Sequence, residues 1–255
     1  MKNENLMLEV YKDIAQPIAR QTGITLNEVG KLIFSPIYYP TKYLNDRIQK
    51  WFERIENNVP KQNRIEAKPH ITIPTLQNLA LHDDETLLGE MFFNILQSSV
   101  DKTKQEFLSP AFPKILEQLS QEEAKILTLL TIQDCVEFSY YGWTDKATNI
   151  FKEELCEIKN DSIDKDFFLM YRGHLSLLGL ISISNAHNEG EAYFKDSNNN
   201  LIDYKSQDGK NIIDTNQMDN YQTISKLFHL VTLSDFGVAF ANICISDKCK
   251  DFINN

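Results

Sequence analysis

Apolar residues along this chain recur mostly at spacings of three and four, and the strongest run lies between residues 69 and 130. There Leu87, Leu88, Met91, Phe92, Ile95 and Leu96 mark one wide helical face that must be buried. Pro74 suits a first helical position, with Leu76, Leu79 and Ala80 on one face behind it. The corner His82-Asp83-Asp84-Glu85 ends that segment and offers Asp84 as a cap for the next helix. Ser109-Pro110 predicts a third start. Ser120-Gln121-Glu122-Glu123 is a capping box, in which the serine oxygen and the Glu123 carboxylate each satisfy one orphan amide of a fourth helix.

Upstream, Leu6 to about Gln21 and Thr25 to Ile33 also carry helical periodicity, the first interrupted by Pro17. A longer helix follows, in which Leu44, Ile48, Trp51, Phe52, Ile55 and Val59 share a face while Asp46, Lys50, Glu53, Arg54 and Asn57 point away; Val59-Pro60 closes it. Downstream, residues 137 to 142 form an aromatic-rich turn, and Thr144 caps a helix bearing Ala147, Ile150, Phe151, Leu155 and Ile158. Asp164 caps another through Phe167, Phe168, Tyr171, Leu175 and Leu178. From Leu180-Ile181-Ser182-Ile183-Ser184 the pattern alternates as a strand does. Ala192-Tyr193-Phe194, Leu201 to Tyr204 and His229 to Thr232 read as further strands, and Ser234 caps a closing helix.

The expected fold class is therefore mainly α with a small β component (α+β). A helical domain over 1–117, comprising an arm (1–68) and central helices (69–117), precedes a winged-helix-like module with an enlarged wing over 118–255. Charge changes what that module implies. The chain holds 26 Lys+Arg against 36 Asp+Glu, a net of −10. Residues 1–70 carry 11 Lys+Arg against 8 Asp+Glu, whereas residues 118–255 carry 12 against 21. A winged helix with a net of −9, whose recognition-helix position offers Lys165 and Arg172 beside Asp164 and Asp166, is poorly equipped to hold a phosphate backbone. Protein contact is the better expectation, with DNA binding as the alternative.

Candidate chemistry is sparse. The segment from Gly23 to Lys31 has the wrong glycine spacing for a phosphate loop, and Leu32 stands where a magnesium ligand belongs. The histidines at 70, 82, 174, 187 and 229 form no i, i+4 pair, and no serine sits in a nucleophile elbow. Cys135, Cys156, Cys244 and Cys249 lack the paired spacing of a zinc or redox site and read as buried free thiols. No catalytic, cofactor-binding or metal-binding residue is expected, and a non-enzymatic protein without cofactor is the better expectation, with a nuclease or hydrolase site assembled from distant positions as the alternative. The start Met1-Lys2-Asn3-Glu4-Asn5 lacks a secretory pattern, and no apolar run approaches the ~18 to 20 residues of a membrane span, which places the protein in a reducing cytoplasm. One basic and aromatic stretch stands out, and Ile37, Tyr38, Tyr39, Lys42, Tyr43 and Lys50 are its candidate membrane or partner contacts. That stretch makes peripheral contact with the inner face of the membrane a further alternative.

Several segments, taken in order, resemble the abortive-infection alpha (Abi-alpha) proteins of bacterial phage defence. They are Tyr11 to Pro17, the Gly30-Lys31 helix ahead of a proline break, and Val59-Pro60 followed by Ile73-Pro74. Glu90-Met91-Phe92 with Asn94-Ile95-Leu96, Ser109 to Phe112, and Gln118 to Leu127 continue the series. The closing Val231-Thr232-Leu233-Ser234-Asp235-Phe236-Gly237-Val238-Ala239-Phe240 is similar to the family's Leu-Thr-x-x-Gly-x-x-Phe helix. The resemblance implies a role in limiting phage propagation by halting or killing the infected cell, with a protein or phage component as partner, and it brings no catalytic residues. The stretch from Asn185 to Phe228 is where trigger or partner specificity is expected.

Overall fold

A computed structural model describes residues 13–14, 16–17, 20, 41–145, 148, 151–158, 160, 163, 165–188, 204–205, 211–213 and 221–253. The described chain is mainly helical with a small antiparallel sheet, the α+β class expected. It divides into two compact units, 1–128 with 239–255, and 129–238. The expected boundary lay at 117/118; in the structure, residues 239–255 belong with the first unit.

In the first unit, α1 (Thr41–Asn58), α2 (Pro69–Leu81), α3 (Leu87–Ser99) and α4 (Phe112–Gln118) surround a core centred on α3. Of the expected α1 face, Trp51, Phe52, Ile55 and Val59 are buried and Ile48 is half-buried; Arg54, expected to point away, instead turns onto the helix that carries Glu90 and Phe93, because a buried carboxylate there needs a cation. Helix α2 starts five residues before Pro74. Pro69 occupies the first turn, where a missing N–H costs nothing, and Pro74 lies inside the helix. Burial of Ile71, Leu76 and Leu79 offsets the lost bond.

Helix α3 is capped by Thr86, whose hydroxyl accepts from the Gly89 amide at 3.1 Å, so the cap is not Asp84, which is bound elsewhere. Its six expected apolar positions are buried, but so are Phe93, Glu90 and Asn94, and the helix is enclosed on every side. Helix α4 begins at Phe112 with Pro113 in its first turn, three residues past Ser109. The capping box of α5 (Gln121–Gln133) forms as read, with the Ser120 amide donating to Glu123 at 2.8 Å and the Glu123 amide donating to Ser120 Oγ at 3.2 Å.

The second unit is built on a sheet of β1 (Cys135–Asp145), β2 (Phe151–Ile158), β3 (Ile181–Asn188) and β6 (Tyr221–Leu233), in the order β2-β1-β6-β3, all antiparallel. Between β3 and β6, a small ladder pairs β4 (Tyr204–Lys205) with β5 (Asn211–Ile213). Here the sequence reading fails twice: residues 137–142 are strand rather than turn, and residues 151–158 are strand rather than helix. The spacing 147, 150, 151, 155, 158 fits a helical period. Pairing along the aromatic strand β1, from Phe138↔Ile158 to Thr144↔Phe151, overrides it.

Helix α6 (Lys165–Leu177) packs Phe168 and Leu175 inward, and the Phe168 ring meets Phe138 edge-on at 5.2 Å. It ends at Gly179, whose φ of +72° suits glycine, with the Gly179 amide donating to Ser176 and the Leu180 amide to Leu175. Helix α7 (Asp235–Cys244) is capped by Ser234, which accepts from the Gly237 amide at 2.9 Å, and α8 (Asp247–Asp251) follows.

The expected helices over 6–21 and 25–33 fall largely outside the described residues, although 13–14, 16–17 and 20 are helical. The cap at Asp164 and the strand at 192–194 lie outside them altogether.

Candidate functional site

Polar chemistry in the first unit is concentrated along one seam of α1. Arg47, Trp51, Arg54 and Asn58 recur at steps of four, three and four, and so share a face. Their partners run in the same order on the segment from Asp84 to α3. Arg47 meets Asp84 in a forked pair, Nε to Oδ2 at 3.0 Å and Nη2 to Oδ1 at 2.7 Å, and Trp51 Nε1 donates to the same Oδ1 at 2.8 Å. Arg54 Nη2 donates to Glu90 at 2.6 Å, and Asn58 donates to Gln97 at 2.7 Å. Partners advancing together along both chains mean that α1 and α3 run in the same direction.

Arg47 also donates to the carbonyls of Leu79, Ala80 and His82, so its buried guanidinium closes the C-terminal end of α2, where orphan acceptors and the negative end of the helix dipole gather. Burial works against ionisation of Asp84, but the bonds from Arg47 and Trp51 and the charges of Arg47 and Arg54 outweigh it and hold the carboxyl below its ordinary range. Burial, then the Arg47 charge, push His82 down and favour its neutral form, stacked on Phe92 at 5.1 Å.

Glu90 is 2% exposed and doubly paired, to Arg54 and, at 2.8 Å, to Lys248. The Arg54 guanidinium lies 3.6 Å from the Phe93 ring centroid. One turn along α3, the Asn94 amide donates to the Cys244 carbonyl, to Ser246 and to Cys249 Sγ, tying the closing residues to α3. Cys244 and Cys249 are buried free thiols, as read, and burial raises both, Cys244 far more, which leaves them poor nucleophiles. Cys135, expected to be buried, is exposed at the start of β1. The charges of this seam are matched, with Arg47 and Glu90 buried at its centre and Lys248 reaching in from the surface, which makes it a clamp. Among the described residues no cluster of His, Cys, Asp and Glu is placed to hold a metal.

The second unit presents a different kind of surface. On α6, opposite the buried Phe168 and Leu175, the positions Asp166, Met170, Gly173 and Leu177 fall on one outward ridge at steps of four, three and four. Met170 is 60% and Leu177 84% exposed, with Phe167 at 51% beside them. Arg172, one of the two cations at the recognition-helix position, sets its guanidinium 5.3 Å from the centroid of the Phe138 ring.

Of the six contact residues expected from sequence, Lys50 is exposed on α1, and Lys42 and Tyr43 lie on the first turn of that helix. Ile37, Tyr38 and Tyr39 fall outside the described residues. Lys50 is part of neither the seam nor the ridge.

A family model described as "Abortive infection alpha" matches residues 43–244, from the first turn of α1 to the last residue of α7. The chain belongs to that family. The match takes in the ridge and the α1–α3 part of the seam, and the membership points to abortive-infection defence as the coarse role of this member. No curated protein and no solved structure matches the chain. No helix among the described residues is long and apolar enough to cross a membrane.

Proposed function

We propose that this Abi-alpha family member acts in phage defence through protein contacts, without catalysis of its own, and halts or kills the infected cell. The observation that carries this reading is the outward ridge of α6. In place of basic or amide side chains it offers Met170 and Leu177 to solvent, and exposed apolar surface of this kind is characteristic of protein-contact sites. Expression of the intact chain should lower phage plating efficiency while cells infected at high multiplicity die. A Met170→Glu/Leu177→Glu chain that keeps its far-UV circular dichroism should lose both effects. Normal plating of a broad phage panel on cells making the folded intact chain would sink the proposal.

A DNA-binding winged helix is the second reading, and one observation favours it. The order β1-β6-β3, with α6 directly before β3 and the β4–β5 insertion between β3 and β6, supports a winged-helix reading in which strand β2 stands where the second helix would be. On that reading α6 would enter the groove. The net of −9 over 118–255 and the packing of Arg172 on Phe138 argue for a protein-facing use of the same frame. Gel-shift binding at low salt that vanishes with Arg172→Ala would reverse this preference. The arm residues Ile37, Tyr38, Tyr39, Lys42, Tyr43 and Lys50 are proposed as a separate docking element, at the membrane or on the partner. Liposome flotation that survives charge reversal at Lys42 and Lys50 would remove the electrostatic part of the membrane version.

A further inference from the structure

The geometry points to a second copy of this chain as the occupant of the α6 ridge, packed antiparallel about a two-fold axis. This deepens the protein-contact reading and rests on it. The ridge carries both a projection and the space to receive it. Met170 extends into solvent, and one turn further on Gly173 leaves an opening in which an added Cβ would meet no atom within 4 Å. A surface bearing knob and notch three residues apart on one helix is complementary to itself. When α6 is laid against its two-fold copy, each Met170 falls at the level of the other chain's Gly173, and both notches are filled at once.

Charge selects the orientation. Asp166 is the only charged residue on the ridge and stands in the first turn of the helix. In a parallel pair the two Asp166 carboxylates would face each other. In the antiparallel pair each lies at the level of the other copy's Leu177, so the two carboxylates are eleven residues, about 16 Å, apart along the axis. That exceeds the screening length of about 8 Å at physiological salt. The same arrangement sets the N-terminal end of each helix dipole against the C-terminal end of the other. A contact centred on one 13-residue helix is small, so the pair should be weak and readily reversible.

Sedimentation velocity of the full chain over roughly 1 to 500 μM, where so small an interface should saturate, tests this directly. The unaltered chain should pass from monomer to dimer. Gly173→Gln, which fills the notch while replacing glycine with a better helix former, should raise the dissociation constant at least about tenfold and leave the melting temperature equal or higher. Met170→Ala should weaken the dimer similarly. A chain that stays monomeric throughout, or a dimer indifferent to both substitutions, overturns the inference. If the chain is monomeric yet the folded Gly173→Gln protein loses phage protection, the ridge serves a different protein, and the self-association is overturned while the protein-contact reading stands. A ridge-dependent dimer that gives no phage protection has the opposite meaning: the pairing is sound and the defence reading fails.

Discussion

Replacing Arg47 with leucine would strand the Asp84 carboxylate and leave the Leu79, Ala80 and His82 carbonyls without their donor. Its side chain is 7% exposed and that of Asp84 27%. Removing one partner of so enclosed a pair should cost about 3 kcal/mol in urea unfolding. Arg47→Leu combined with Asp84→Asn should cost less than the two single changes added together, because no charge is then left unpaired.

The same pair sets an acid sensitivity. The Asp84 pKa is lowered in the fold, so its stabilisation is present above the ordinary carboxylate range and is lost as pH falls through the folded value. The His82 pKa is also lowered, so the unfolded chain takes up its proton first, and stability falls as pH drops through the ordinary imidazole range. Both act in one direction. Unfolding free energy should decline as pH falls from 7 through the ordinary imidazole range and decline again below about pH 4, and Asp84→Asn should flatten that second, acid part. A flat wild-type profile would refute the assignment. The helical pattern of this segment set Lys50 on the outward face but marked no partner for Arg47. The one available signal was the 47, 51, 54, 58 spacing, and it gains meaning only once acceptors at Asp84, Glu90 and Gln97 are brought opposite.

At the scale of elements, what was legible depended on whether the deciding interaction was local. The α5 capping box, the Ser234 cap and the buried face of α3 are set within a few residues, and each formed as read. The β1–β2 hairpin is set by pairing between Phe138 and Ile158, twenty residues apart, and a helical period in 147–158 concealed it. The glycine of the closing motif illustrates the same limit. Gly237 looks in sequence like a helix weakness, yet a Cβ there would lie 1.8 Å from the Leu180 carbonyl oxygen, so the helix start and the chain leaving α6 touch backbone to backbone. Gly237→Ala should therefore cost about 1 to 3 kcal/mol despite alanine's higher helix propensity. Thermal unfolding unchanged or improved by this substitution would mean that the close approach is not maintained in solution.

For the whole molecule, the consequential feature is that the last residues of the chain complete a unit whose other members lie more than a hundred residues earlier. Lys248 supplies the second cation for buried Glu90, Asn94 binds the Cys244 carbonyl and Ser246, and Cys249 is fully buried beside them. In sequence, residues 245–251 show only Cys249 inside a short charged run. Only the fold supplies the buried carboxylate and amide that make it structural. Ending the chain after Cys244 would leave Glu90 with Arg54 alone and expose the Cys249 site, a loss of at least about 2 kcal/mol from the first unit. Hydrogen exchange resolves where that loss falls. Amides of α1 to α3 should exchange faster in the shortened chain, while those of β1 and β6, in the other unit, keep their protection. Equal loss of protection in the sheet would mean that the two units unfold as one, and that the closing residues support the chain as a whole rather than the unit to which their contacts assign them.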